Sequence, residues 1–169
     1  MDRIFTTDGS CSGNPGPGSY AVCEWKEIDG KLHLIYASKV DEPHTTNNRM
    51  ELSAILAVFK IAAASPEEDR FQIYSDSAYC INILKPGGWI ETWSRNGWIK
   101  SNKKQTIENL DLIQELYNYR NKIFSKCQLI KVSGHAGDIK NEVTDAVATG
   151  NYNKLKKFVF NNGIKIDFS

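Results

Sequence analysis

Four acidic residues stand where the chain changes its local character. Asp8 follows the strand-like run Ile4-Phe5-Thr6-Thr7 and precedes a loop containing Gly9, Gly13, Gly16 and Gly18 with Pro15 and Pro17. β-Branched and aromatic residues favour a strand, and the Gly/Pro run stops it, which puts the Asp8 carboxylate at a strand end. Glu51 falls early in a helical pattern, Asp76 at the end of the alternating run Phe71-Gln-Ile-Tyr-Ser-Asp76, and Asp145 inside a late helix. Acids gathered on adjacent strand ends repel one another unless a cation lies between them. The reading we take forward is that Asp8, Glu51, Asp76 and Asp145 meet around divalent metal.

Each of these residues has a plainer account. Asn48 and Glu51 have the spacing of a capping box, in which Glu51 reaches back to the helix start. Yet Glu51, Ile55, Val58 and Ala62 also form one row at helical spacing, so the same side chain borders the buried stripe and can point inward over a sheet. Asp76 beside Ser77 suits a helix start equally well. His135 lies in the loop Ser133-Gly-His-Ala-Gly137, where a histidine is ordinarily a surface residue.

The elements that must position these groups can be read along the chain. After the first strand, Tyr20 to Trp25 and Leu32 to Ala37 flank the turn signal Asp29-Gly30, giving a three-stranded antiparallel meander. Apolar residues at 52, 55, 56, 59, 62 and 63 have helix spacing, and Ser65-Pro66 ends that helix. The strand ending at Asp76 follows, so a strand, helix, strand order implies parallel pairing with the first strand. In such sheets the functional crevice lies at the carboxyl ends of the strands. Ser77 is placed to cap a short helix through Leu84, Ile107 to Phe124 reads as a structural helix, and Cys127 to Val132 is the last core strand. A helix from Asn141 to Thr149 carries Glu142 and Asp145 on one face. In the tail, Asn162-Gly163 suggests a small hairpin. The Gly-rich loop after Asp8 lacks the Gly-Lys-Ser/Thr ending of a P-loop and leads into a strand, which argues against nucleotide binding there.

Composition bounds these readings. A chain of 169 residues, 41% hydrophobic and 24% charged, supports one core and one domain. The net charge of +1 is unevenly spread: Lys85 to Lys104 holds five basic residues against Glu91 alone, so this stretch carries +4 and the rest sums to −3. The same stretch interleaves Trp89, Trp93 and Trp98 with its cations. A packed helix pair with a solvated face would explain it; so would a surface that stacks indoles and pairs lysines along a sugar-phosphate backbone. Cysteines at 11, 23, 80 and 127 show no Cys-x-x-Cys or zinc-like spacing and are expected as reduced thiols. Met1-Asp2-Arg3 leads straight into a strand without a signal-peptide run, and Lys60 breaks the most apolar segment, so a cytoplasmic protein with no membrane contact is expected.

Five ordered motifs, Asp8-Gly-Ser-Cys-Ser-Gly-Asn-Pro-Gly-Pro-Gly18, Thr45-Thr-Asn-Asn-Arg-Met-Glu-Leu52, Tyr74-Ser-Asp-Ser77, Gly134-His-Ala-Gly137 and Asn141-Glu-x-x-Asp145, together resemble type-one ribonuclease H of the bacterial kind with a basic protrusion. The resemblance spans about residues 3 to 150. It implies an α/β, ribonuclease H-like fold: a mixed five-stranded sheet, three antiparallel strands then two parallel, flanked by helices. Residues 1–150 would be a single catalytic domain and 151–169 a C-terminal extension packing on it or trailing from it.

The resemblance further implies an endoribonuclease that hydrolyses the RNA strand of RNA·DNA hybrids, with Asp8, Glu51, Asp76 and Asp145 as metal-binding acids and His135 as the loop histidine that helps move a proton or release product. Asn14, Asn47 and Asn48 match positions that contact the hybrid's minor groove, Thr46 and Asn109 a DNA-phosphate pocket, and Trp89, Trp93, Trp98, Lys100, Lys103 and Lys104 the basic protrusion. Ala78 stands where some relatives carry glutamine, and Ala146 replaces a glutamate that often follows the last catalytic aspartate, which touches only fine substrate contacts. Hard oxygen ligands favour Mg²⁺, with Mn²⁺ as substitute, over zinc. Two such ions about 4 Å apart would activate a water for in-line attack and leave 5′-phosphate and 3′-hydroxyl ends. A DNA nuclease or recombinase on the same fold, or a non-catalytic hybrid-binding module, are the competing readings; the asparagines and Trp/Lys elements argue against the first, the intact carboxylates against the second. A monomer with no obligatory protein partner is expected.

Overall fold

The computed structural model describes residues 1–100, 105–133 and 138–168. Three long strands open the chain: β1 (Asp2–Cys11), β2 (Gly16–Ile28) and β3 (Lys31–Thr45), each antiparallel to the next. Helix α1 (Asn47–Ala64) crosses over to β4 (Arg70–Ser75), which lies parallel to β1 with Thr6 opposite Tyr74 at the last paired position. Two short helices, α2 (Ala78–Leu84) and α3 (Trp89–Arg95), then α4 (Leu110–Ile123), lead to β5 (Cys127–Lys131), parallel to β4. The chain closes with α5 (Ile139–Thr149), α6 (Tyr152–Asn161) and the two-residue β6 (Lys165–Ile166).

Among the described residues the sheet has six strands in the order β5-β4-β1-β2-β3-β6, one more than expected. The added strand comes from the tail, where Lys165 and Ile166 pair parallel with His33 and Leu34 on the edge of β3. The hairpin expected at Asn162-Gly163 does not form. Asn162 instead caps α6 and Gly163, at φ 62°, takes the left-handed conformation that ends a helix. The antiparallel meander followed by two parallel strands stands as read.

Strand periodicity divides the core into two layers. Phe5 and Val22 face α1, α2 and α4 in the larger cluster with Leu52, Ile55, Phe59, Ile83, Ile113 and Leu116. Their neighbours Ile4 and Cys23 face the other way, with Trp25 and Leu34, against Val143 and Val147 of α5 and Leu155, Phe158 and Val159 of α6. Residues 151–168 thus pack on the sheet's second face. Among the described residues no helix is long and apolar enough to cross a membrane.

Among the element boundaries that differ from the sequence reading, two lie at candidate site residues. β1 does not stop at Asp8, because Gly9, Ser10 and Cys11 go on pairing with Tyr20, Ser19 and Gly18 after the parallel partner β4 has ended. And α4 begins at Leu110 rather than near 107, behind Asn109 in the left-handed region at φ 59°.

Candidate active site

Asp8, Glu51 and Asp76 offer carboxylate oxygens that all lie within 4.8 Å of one another. Each reaches that point for a local reason. Asp8 projects from β1 two residues past the last one paired with β4, and Asp76 directly follows β4, so the two acids mark the carboxyl ends of adjacent parallel strands. Glu51 comes from the first turns of α1. The helix is capped by Thr46, whose Oγ1 accepts from the Arg49 N–H at 3.2 Å, so Glu51 is not the back-reaching half of an Asn48 capping box. Its Oε1 accepts instead from the Gly9 N–H at 3.0 Å, and that same N–H also meets Asp8 Oδ1 at 3.0 Å. Gly9 is what allows this approach, since a Cβ there would sit 2.5 Å from the Glu51 nitrogen.

The fourth acid comes from α5, which a polar contact anchors to β1. Thr6, two residues before Asp8 and on the same face of β1, meets the Thr144 hydroxyl at 2.5 Å and accepts from the Trp25 indole N–H at 2.8 Å. Asp145, the next residue, is close enough to Asp8 to raise its pKa but is not among the three acids within 4.8 Å of one another. Its Oδ2 is simultaneously held by Lys154 Nζ at 2.8 Å.

Burial and mutual repulsion dominate the electrostatics. Asp8 is 5% exposed and Glu51 9%. Burial first, then the charges of Glu51 and Asp76, push Asp8 up to about 10. Burial and Asp76 push Glu51 up to about 7 against the lowering effect of the Gly9 N–H. Asp76 is raised by burial, with Lys131 and the Asn141 side chain opposing. Glu51 Oε2 is buried with no hydrogen-bond partner. An orphaned carboxylate oxygen inside an all-oxygen cluster that resists ionisation fits a hard divalent cation, which would satisfy the oxygen and offset the repulsion together.

The other sequence-derived residues that the structure describes make local contacts of their own. Asn14 Oδ1 accepts from the exposed Asn47 N–H at 3.2 Å, with Asn48 alongside in the first turn of α1. Asn109 donates to the Tyr79 hydroxyl at 3.0 Å and approaches Arg49 at 3.4 Å, so it shares with Thr46 the neighbourhood of Arg49. Trp89, exposed, stacks on Trp93 with ring centroids 6.1 Å apart, and Trp98 packs edge-on to Tyr117 at 5.2 Å. A cleft of about 430 Å³ is lined by Trp89, Trp93, Lys100, Tyr79, Asn82 and Gln105. His135, Lys103 and Lys104 lie outside the described residues. Both accounts of the Trp/Lys stretch therefore describe part of it: Trp98 packs inward, while Trp89 and Lys100 border an open cleft. The cysteines are all unpaired, as expected.

The RNase H family pattern matches residues 2–152. Ribonuclease H of Syntrophomonas wolfei is 43% identical over 150 residues, covering 86% of this chain and 92% of its own. The chain belongs to the ribonuclease H family. The ribonuclease H of Caldanaerobacter subterraneus is 40% identical over 157 residues, covering 92% of each protein. Among solved structures, the type 1 enzyme LC9-RNase H1 superposes with a TM-score of 0.70 at 27% identity, covering 90% of this chain and 72% of the other. This ribonuclease H is accordingly a hydrolase with the fold of the type 1 enzymes.

Two residues near the acids were not picked out by sequence reasoning. Asn141, buried at the start of α5, supports Asp76 and carried a visible signal as part of the Asn-Glu-x-x-Asp motif. Lys154 carried none, because it lies nine positions from Asp145 across a helix break and no helical spacing connects them.

Proposed function

We propose that this ribonuclease H cuts the RNA strand of RNA·DNA hybrids at the carboxylate cluster, with Asp8, Glu51, Asp76 and Asp145 holding two Mg²⁺ ions. The observation that carries the reading is the convergence of three buried or half-buried carboxylates within 4.8 Å, one with an orphaned oxygen. Bound Mg²⁺ would supply Lewis-acid charge at the scissile phosphate and lower the pKa of an attacking water.

The protein's own groups do the rest. The Gly9 N–H fixes the facing oxygens of Asp8 and Glu51, so both carboxylates are oriented before any ligand arrives. Asn141 orients Asp76. Asn14, Asn47 and Asn48 border the cluster with amides able to meet 2′-hydroxyls and base edges across a shallow minor groove, which is where RNA is distinguished from DNA. Thr46 and Asn109 would take a phosphate of the DNA strand, and Trp89, Trp93, Trp98, Lys100, Lys103 and Lys104 would extend that grip. His135 would relay a proton or ease product release. A fold neighbour at 16% identity and TM-score 0.60, covering 88% of this chain and 94% of its own, was crystallised with RNA/DNA hybrid, which supports the substrate assignment.

Matched RNA·DNA hybrid, RNA duplex and DNA duplex, each incubated with and without Mg²⁺, test this directly. Cleavage confined to the RNA strand of the hybrid and dependent on Mg²⁺ is the expected result. Cutting of duplex DNA would place the chain with the DNA nucleases, and binding without cutting would make it a recognition module.

A further inference from the structure

The family match ends at residue 152, and two residues beyond it a side chain returns to the candidate active site. Lys154 Nζ lies 2.8 Å from Asp145 Oδ2 and 2.8 Å from Glu142 Oε2. Its position is set by construction. Gly150, at φ 69°, ends α5 in the left-handed conformation, and Asn151 starts α6 at once, its Oδ1 accepting from the Lys154 backbone N–H at 3.1 Å. Leu155, Phe158 and Val159 then pack against the layer containing Val143 and Val147, holding α6 on α5. Lys154 therefore projects from an anchored helix toward Glu142 and Asp145, two like charges one helical turn apart that repel each other without it.

Asp145 is placed between two claims. Its carboxyl is near enough to Asp8 to raise its pKa and gives an oxygen to Lys154. Resting on the metal-site reading above, we propose that Lys154 is a resident counter-ion of that site: its ammonium neutralises Asp145 and Glu142 in the cation-free enzyme and opposes divalent cation binding on the Asp145 side, so α6 sets the cation concentration at which the site fills. Two effects of removing the lysine oppose each other. Losing a fixed partner loosens Asp145, but ordering one short side chain is worth only about threefold in affinity. Removing a unit positive charge a few ångströms from a divalent cation, and freeing the oxygen it occupied, is worth about three- to thirtyfold even in a well-solvated setting. The electrostatic effect wins.

Calorimetric titration of Mn²⁺ into the full chain, comparing the parent with Lys154→Met and Lys154→Arg, tests the assignment. The methionine variant is expected to bind Mn²⁺ about three- to thirtyfold more tightly at low salt, with the difference shrinking as salt screens the charge. The arginine variant should stay within about twofold of the parent, because it keeps the charge. In parallel, the Lys154 ammonium resonance of the parent should shift on titration with diamagnetic Mg²⁺, a readout that survives even if the methionine variant folds poorly. Unchanged or weaker Mn²⁺ affinity in a folded methionine variant, or an ammonium resonance indifferent to Mg²⁺, overturns the proposal. A parent protein that takes up no Mn²⁺ at all contradicts the metal site itself, and the counter-ion role with it.

Discussion

Replacing Asp8 by Asn should make the cation-free protein more stable while removing its activity. In the unfolded chain both Asp8 and Glu51 ionise near pH 4, whereas in the folded protein burial and the charge of Asp76 hold Glu51 protonated up to about 7, and burial with the charges of Glu51 and Asp76 holds Asp8 protonated up to about 10. Between these limits the folded state binds more protons than the unfolded state, so stability falls as pH rises from about 4 through 7 and beyond. Raising Glu51 from 4.5 to about 7 costs about 3 kcal/mol above pH 7, and Asp8, which is raised further, costs at least as much at pH 8. Asp8→Asn replaces the carboxyl that folding must protonate by a neutral amide, so the variant no longer takes up that proton on folding. At pH 8 in the presence of chelator the variant should therefore melt about 5–10 °C above the parent. Near pH 4 the difference should nearly vanish, since the unfolded acids are then about half protonated and little proton uptake is left for folding. Saturating Mg²⁺ should raise the parent's melting temperature and narrow the gap, because only the folded parent presents the intact site. Thermal melts across pH 4 to 8 with and without Mg²⁺ check all of this. An Asn variant no more stable than the parent at pH 8, or a gap independent of pH, would refute the account of a repulsive buried cluster.

Two further perturbations follow from the geometry. Gly9→Ala forces a Cβ to within 2.5 Å of the α1 backbone, so β1 and α1 must part; about 1–3 kcal/mol of stability and at least about a hundredfold in turnover should be lost, read by melting and by single-turnover cleavage. Replacing Lys100, Lys103 and Lys104 together by Ala should raise KM for the hybrid at moderate salt and lower the log-log salt slope of binding by about one per lysine, with turnover at saturation near the parent's; an unchanged slope would return that stretch to an ordinary solvated surface.

The acids were legible because chemistry and punctuation coincide at them. Asp8 and Asp76 lie where the parallel pairing of β1 and β4 ends, a point the strand, helix, strand order already marks. What local pattern could not decide was direction: Glu51 has the spacing of a cap, and only the approach that Gly9 permits between β1 and α1 turns it into the site. Asp8 looked like a strand terminus because the glycines after it lack side-chain signal, yet their backbone goes on pairing with β2. The tail was the least readable part. Asn-Gly favours a hairpin locally, and a β6 of two residues exists only because the exposed edge of β3 offers it partners. Lys154 was invisible for the same reason, since its partners are brought near by a helix reversal rather than by spacing.

The most direct measurement is the nature of the ends left on a labelled RNA strand cut within an RNA·DNA hybrid, by the parent and by Asp8→Asn, with Mg²⁺ and with chelator. Water as nucleophile at a carboxylate-held metal site predicts 5′-phosphate and 3′-hydroxyl ends, formed by the parent in Mg²⁺ and lost both in chelator and in the Asn variant. Cleavage that persists in chelator or in Asp8→Asn, or that leaves a 2′,3′-cyclic phosphate, would mean that the ribose hydroxyl rather than a metal-activated water attacks and would contradict the account.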